Sequence, residues 1–272
     1  MTIDLEHAAA VARKAARDAA VVISEIYKTA FRVDYKVGDD PVTEADRTAN
    51  TLIVAQLRAA FPDVPIVSEE DAPDRAYETA RAAWFVDPLD GTRDFVERNG
   101  DFCVMIGLAI DGKAALGVIN VPLTGEELVG IIGRGAFSEK NGVKSTISAS
   151  NITLPSEARV LVSRSRGRAA EPFLRAFGPK ETLAIGSAGL KAVKVAKGEA
   201  DAYVQPDRAG CLWDACAPEA LVIAAGGRAS NIDGEGFDYH LHDLENKRGM
   251  VFTNPHLHSR ALEALRGVLV EP

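Results

Sequence analysis

Residues 84–92 read Trp84-Phe85-Val86-Asp87-Pro88-Leu89-Asp90-Gly91-Thr92. The apolar start reads as a buried strand that runs into a turn. Pro88 has no amide hydrogen, so a regular ladder cannot continue through it. Asp87 and Asp90 can then converge on one side of the turn, with the Leu89 carbonyl between them. Gly91 permits an unusual dihedral or the close approach of a ligand. If a helix starts at Thr92, the amides of Gly91 and Thr92 form an anion cradle at its N-terminus. Converging carboxylates repel one another unless a cation sits between them. Hard oxygen donors of this kind suit Mg²⁺, which takes one or two carboxylates, water and substrate phosphate.

Upstream of this turn, Leu5 to Tyr27 carries apolar residues at helical spacing and reads as an amphipathic helix. A polar loop ending in Asp39-Asp40-Pro41 follows. A second helix is expected from Thr43, a good cap with Asp46 three residues on, to about Ala60. Ile66-Val67 reads as a short strand ending at Ser68-Glu69-Glu70-Asp71. Downstream, Phe102 to Ile110 and Ala114 to Asn120 flank Asp111-Gly112, a hairpin signal, and Glu127 to Ile132 reads as the next strand. The chain turns polar at 145–156, where a boundary is placed between an N-terminal α+β part (1–150) and a C-terminal α/β part (151–272). In the latter, strands at 160–162 and 202–204 alternate with helices at 187–197, 214–225 and 256–269.

Composition limits the rest. Of 272 residues, 47% are hydrophobic and 26% charged, which describes a folded chain and not a disordered one. With 31 basic against 39 acidic residues, the net charge of −8 argues against a nucleic-acid polymer as partner, because phosphate backbones need a positive face. A small anionic ligand stays compatible if metal ions reverse the local sign. Cys103, Cys211 and Cys216 are too few for a disulfide scaffold and lack zinc spacing, so a reduced, cytoplasmic protein is expected. No signal peptide is read at the N-terminus, and the longest compact apolar run, 102–110, falls far short of the ~20 residues of a membrane span.

Taken singly, each acidic residue has a plain reading as turn residue, helix cap or solvated loop. Their order along the chain is more specific. Val42-Thr43-Glu44-Ala45-Asp46, Ser68-Glu69-Glu70-Asp71, Asp87-Pro88-Leu89-Asp90-Gly91-Thr92 and Trp213-Asp214-Ala215-Cys216-Ala217-Pro218-Glu219 together resemble the inositol monophosphatase superfamily of Mg²⁺-dependent, lithium-sensitive phosphatases. The resemblance covers nearly the whole chain. Within the superfamily, Trp213 to Glu219, Ser163-Arg164-Ser165 and 186–191 look like the 3′(2′),5′-bisphosphate nucleotidases, as do Gly226-Gly227 and Asp238-Tyr239-His240. Ser68, where Gly usually precedes the Glu pair, and Arg166, where some nucleotidases have His, depart from the pattern.

The resemblance implies a layered αβαβα sugar-phosphatase-like fold with the site in the cleft between the two parts. It implies Glu69, Asp87, the Leu89 carbonyl, Asp90 and Asp214 as ligands for two or three Mg²⁺ ions, and Thr92 and Asp46 as the groups that orient a water and accept its proton. Gly91 and Thr92 would bind phosphoryl oxygens. Ser163, Arg166, Ser187 and Lys191 would contact the rest of the substrate. Removal of the 3′-phosphate of adenosine 3′,5′-bisphosphate is the implied reaction, in a monomer or homodimer. Hydrolysis of inositol monophosphate or of a sugar phosphate such as fructose 1,6-bisphosphate is the rival. A non-catalytic metal- or nucleotide-binding regulator is disfavoured, because a pure binder need not keep both water-orienting groups. The histidines show no ligand spacing; His256 and His258 are expected on a helix surface, and Cys216 in the packing.

Overall fold

A computed structural model describes residues 3–36 and 40–269. Helix α1 (Leu5–Tyr27) begins at Asp4, whose carboxylate accepts from the Glu6 amide at 3.0 Å. The expected polar loop is a two-stranded hairpin, β1 (Val33–Lys36) against β2 (Asp40–Thr43). Asp39, read as part of that loop, lies outside the described residues. Helix α2 (Glu44–Ala60) follows at once, with Thr43 as N-cap and Asp46 completing a capping box.

Strand β3 (Ile66–Ser68) pairs in parallel with β4 (Ala82–Asp90). The pairing of β4 with β5 (Cys103–Ile110) shifts register between Asp87 and Asp90, where Pro88 interrupts the ladder. Helix α3 (Thr92–Val96) leaves directly from this bulge. Strands β6 (Lys113–Val121), β7 (Glu126–Ile131), β8 (Gly135–Lys140) and β9 (Val143–Ile147) complete an antiparallel meander in a seven-stranded sheet. The β5–β6 turn is Asp111-Gly112, with φ of 49° and 71°, the left-handed pair that suits a tight hairpin.

A second sheet contains five strands in the order β11-β10-β12-β14-β13. It is built from β10 (Arg159–Ser163), helix α4 (Glu171–Phe177), β11 (Glu181–Ile185), helix α5 (Ala188–Ala196), β12 (Ala202–Gln205), helix α6 (Leu212–Ala224), β13 (Arg228–Ser230), β14 (Met250–Thr253) and helix α7 (His258–Leu269). Strands β10, β11 and β12 run parallel, and β14 is antiparallel to both its neighbours.

The layers are α1/α2, the seven-stranded sheet, α5/α6, the five-stranded sheet, and α4/α7. Three apolar cores separate them. The first joins α1 and α2 to the first sheet through residues such as Ala12, Ile53 and Val118. The second lies on the other side of that sheet and includes Met105, Ala192, Ala217 and Phe252. The third holds α4 and α7 on the second sheet through Phe173, Val204 and Leu265. This is the αβαβα order expected. Helix α6 lies so close to the first sheet that a Cβ on Gly117 would sit 2.2 Å from the Ala217 carbonyl oxygen. Only a residue without a side chain allows that approach. Among the described residues no helix is long and apolar enough to cross a membrane.

Candidate active site

The C-terminal end of β4 meets the first turns of α5 and α6 in a cleft of about 680 Å³. Ligand sites in open α/β layers favour this position, at the carboxyl ends of strands. Asp87 and Asp90 enter from β4, and Asp214 from the first turn of α6. One carboxylate oxygen of each lies within 4.8 Å of the others. The local sequence explains each placement. The Leu89 amide donates to Asp87 Oδ1 at 3.0 Å, so the Pro88 turn folds back on its own carboxylate. Asp214 Oδ2 accepts from the Cys211 amide at 2.6 Å, tying it to the start of α6. Asp90 Oδ2 accepts from the Ser187 hydroxyl and from the Gly189 amide, the latter at 2.7 Å.

Glu69 also borders the cleft, but its Oε1 accepts from Lys36 Nζ at 3.0 Å, and the same ammonium lies 2.5 Å from Glu70. Burial, opposed by Lys36, pushes the Glu69 carboxyl up to about 7. Asp87 is held well above the carboxylate range by burial and by repulsion from Glu69, Asp90 and Asp214. Asp214 is raised by burial and by Asp90 and Glu69, against the Cys211 amide bond. Asp87, Asp90 and Asp214 fit a divalent cation: they converge, they are buried or half-buried, and their negative charge opposes itself until something positive lies between them.

Thr92 Oγ1 donates to Asp46 Oδ1 at 2.8 Å and lies 3.0 Å from the Leu89 carbonyl oxygen. Asp46 Oδ2 accepts from the amide and hydroxyl of Thr43, each at 2.7 Å. Asp46 is buried beneath the cleft and not among its lining residues, so it reaches the cleft through Thr92. Burial raises its carboxyl while the bonds from Thr43 and Thr92 oppose the rise. Gly91 caps α3 with a left-handed φ of 96°, and its lack of a side chain leaves the first-turn amides without a side-chain cap.

Further lining comes from the C-terminal half of the chain. Ser163, Arg166, Ser187 and Lys191 all line the cleft. Lys191 is 3% exposed, and its Nζ donates to the carbonyls of Ile185 and Gly186 at 3.3 and 3.2 Å. Burial lowers its pKa to about 8. Arg166 donates to the Arg208 carbonyl at 3.2 Å. Two expectations are corrected. Ser187 does not hold its hydroxyl free for a ligand: the proton is committed to Asp90, and the oxygen accepts from the Leu190 amide at 3.0 Å. Arg164, read as part of a ligand-contacting segment, instead reaches across to Asp94 and to Asp101, the latter at 2.5 Å.

A family model described as the inositol monophosphatase family matches residues 4–269. The chain belongs to the inositol monophosphatase family. This family comprises metal-dependent phosphatases, which agrees with the buried acidic group. The chain is 37% identical over 230 residues, 82% of it and 90% of the relative, to the 3′(2′),5′-bisphosphate nucleotidase CysQ of Salmonella typhimurium. Among solved structures it is similar to the extragenic suppressor protein SuhB of Bartonella henselae, at TM-score 0.83 and 25% identity, covering 96% of this chain and 98% of that one. It is also similar to CysQ of Bacteroides thetaiotaomicron, at TM-score 0.77 and 29% identity over 91% and 97% of the two chains.

Within the family site, sequence reasoning passes over three residues. Lys36 sits in what reads as a polar loop. Arg208 lines the cleft and pairs with Glu245 at 3.1 Å. Tyr203 offers its ring 5.0 Å from Lys191 Nζ. Each becomes visible only when strands distant in sequence are brought together; the apolar run containing Tyr203 signals a strand and nothing more. His258, expected on a helix surface, is half-buried between Ser230 and Thr253, with ring nitrogens 3.1 and 3.0 Å from their hydroxyls.

Proposed function

We propose that this chain is a Mg²⁺-dependent 3′(2′),5′-bisphosphate nucleotidase that removes the 3′-phosphate of adenosine 3′,5′-bisphosphate, giving AMP and phosphate. The observation that carries this reading is a cleft that holds both a converging acidic group, Asp87, Asp90 and Asp214, and three cationic side chains, Arg166, Lys191 and Arg208. A substrate with two phosphates uses both sets of groups. The 37% identity to a CysQ nucleotidase supports the same choice.

Asp87, Asp90 and Asp214, with Glu69 and the Leu89 carbonyl, would hold two or three Mg²⁺ ions. Bound there, Mg²⁺ supplies a water activated near neutral pH and neutralises charge on the phosphoryl and leaving oxygens. Thr92 Oγ1, donating to Asp46 Oδ1, turns a lone pair to the attacking water and takes its proton as its own passes to Asp46. The amides of Gly91 and Thr92 orient the phosphoryl oxygens. Catalytic groups thus concentrate in 1–150, with Asp214 added from the specificity-bearing part, 151–272. Lys191 and Arg166 meet the second phosphate, and Ser163 the ribose.

Hydrolysis of inositol monophosphate or fructose 1,6-bisphosphate is the second reading, favoured by the fold shared with inositol monophosphatases such as that of Anabaena (TM-score 0.80). An inositol monophosphate has no second phosphate for Arg166 and Lys191 to meet. Lys191→Ala separates the two. It should lower kcat/KM for adenosine 3′,5′-bisphosphate by about tenfold or more, the scale of a lost charged hydrogen bond, and affect inositol 1-phosphate much less. Equal losses on both substrates would refute the nucleotidase reading.

A further inference from the structure

Ser187 stands at an odd place in the backbone. Its φ is 55° and its ψ 125°, a conformation that side-chain-bearing residues rarely adopt and that persists only where surrounding contacts hold it. Three contacts do so. Its hydroxyl donates to Asp90 Oδ2, its oxygen accepts from the Leu190 amide at 3.0 Å, and Cys103 Sγ lies 3.3 Å from that oxygen; beside it, the Gly189 amide donates to the same Asp90 oxygen at 2.7 Å. Asp90 therefore closes the start of α5 from outside, and Ser187 is the link. The nine-residue helix also favours a carboxylate at that end.

The consequence falls on Asp90. With Oδ2 engaged by the Ser187 hydroxyl and the Gly189 amide, the orientation of the carboxylate that converges with Asp87 and Asp214 is held from the start of α5. Ser187 is 7% exposed, and its only hydroxyl proton already has an acceptor. We propose that Ser187 is a positioning residue for the metal centre, orienting Asp90, and not a contact for the ribose or second phosphate. The strained cap ties the five-stranded-sheet half, which carries the cationic side chains of the cleft, to the carboxylates of β4. The inference rests on the metal-centre reading given above.

The test is Mg²⁺ binding measured by calorimetry on the full chain without substrate, alongside KM for adenosine 3′,5′-bisphosphate at saturating Mg²⁺. Ser187→Ala removes the hydroxyl. Ser187→Gly removes it too but accepts the left-handed φ without strain, so that a folded variant is secured. Both should bind Mg²⁺ about tenfold or more weakly, the usual cost of losing a group that orients a metal ligand. KM at saturating Mg²⁺ should change little. Wild-type Mg²⁺ affinity in the Gly variant would overturn the assignment, and a raised KM alone would return Ser187 to the substrate. A wild-type protein that binds no Mg²⁺ would overturn the metal-centre reading itself, and this inference with it.

Discussion

Asp87 is the residue on which the most conflicting charge falls. It is buried, and Glu69, Asp90 and Asp214 all raise its carboxyl. Glu69 shows the same pressure, moved from 4.5 to about 7. A carboxyl whose folded pKa is raised contributes stability that is fully present below its unfolded pKa. That stability is lost as pH rises through the folded value. For Glu69 the window is about pH 4.5 to 7, and Asp87 and Asp214 act in the same direction. Metal-free protein should lose stability across it, and Mg²⁺, which displaces those protons, should restore more at higher pH. We therefore expect the rise in Tm on adding Mg²⁺ to be larger at about pH 8 than at about pH 6. Asp87→Asn should lose most of that rise while its metal-free Tm at pH 8 is no lower than wild type. Equal rises at both pH values, or a full rise in Asp87→Asn, would count against the carboxylates as the cation site.

At the scale of elements, two helix starts deliver acidic groups by related means. Asp46 is the third residue of α2, accepting from Thr43, and Asp214 the third of α6, accepting from Cys211. The seat of α6 on the first sheet then fixes how far Asp214 reaches. Ala217, one turn further on, lies over Gly117 with no room for a methyl group. Gly117→Ala should destabilise the fold by about 1–3 kcal/mol, as overpacking does. It should also weaken Mg²⁺ binding by displacing Asp214, read by urea denaturation and by Mg²⁺ titration of the folded variant. Unchanged Mg²⁺ affinity would show that the seat sets stability only. Much of this layer was legible beforehand: the period of Leu5 to Tyr27, the cap at Thr43 and the turn at Asp111-Gly112 each have a local cause. The elements missed do not. Strand β9 hides in a polar stretch because edge position leaves Val143, Lys144, Ser145 and Thr146 all exposed, so no alternation marks it. Strand β1 is likewise short and half-exposed, with Tyr35 at 66%. Helix α7 begins at His258, two residues later than expected, because Asn254 Oδ1 holds the amides of His256 and Leu257 in a preceding turn, each at 3.0 Å.

For the whole molecule, the cleft joins groups that the chain keeps far apart. Asp87, Asp90 and Asp214 converge although 124 positions separate the last two (214 − 90). Residue types and turn context made Asp87 and Asp90 legible, whereas Asp214 was legible only through the resemblance carried by the order of the motifs. The engagement of Ser187 with Asp90 was not, because its direction depends on a backbone angle with no marker in residue type. Nor was Arg164, whose partners Asp94 and Asp101 lie across the cleft. The protein carries a net charge of −8, yet Arg166, Lys191 and Arg208 all line the cleft. A cation bound by Asp87, Asp90 and Asp214 would complete a site of suitable sign for an anion with two charged groups. The measurement that tests this most directly is phosphate release by the wild-type chain from adenosine 3′,5′-bisphosphate, inositol 1-phosphate and fructose 1,6-bisphosphate, each with Mg²⁺ and with a chelator. The account predicts release that requires Mg²⁺ and a kcat/KM highest for the adenosine bisphosphate. Release undiminished by the chelator, or a preference for inositol 1-phosphate, would contradict it.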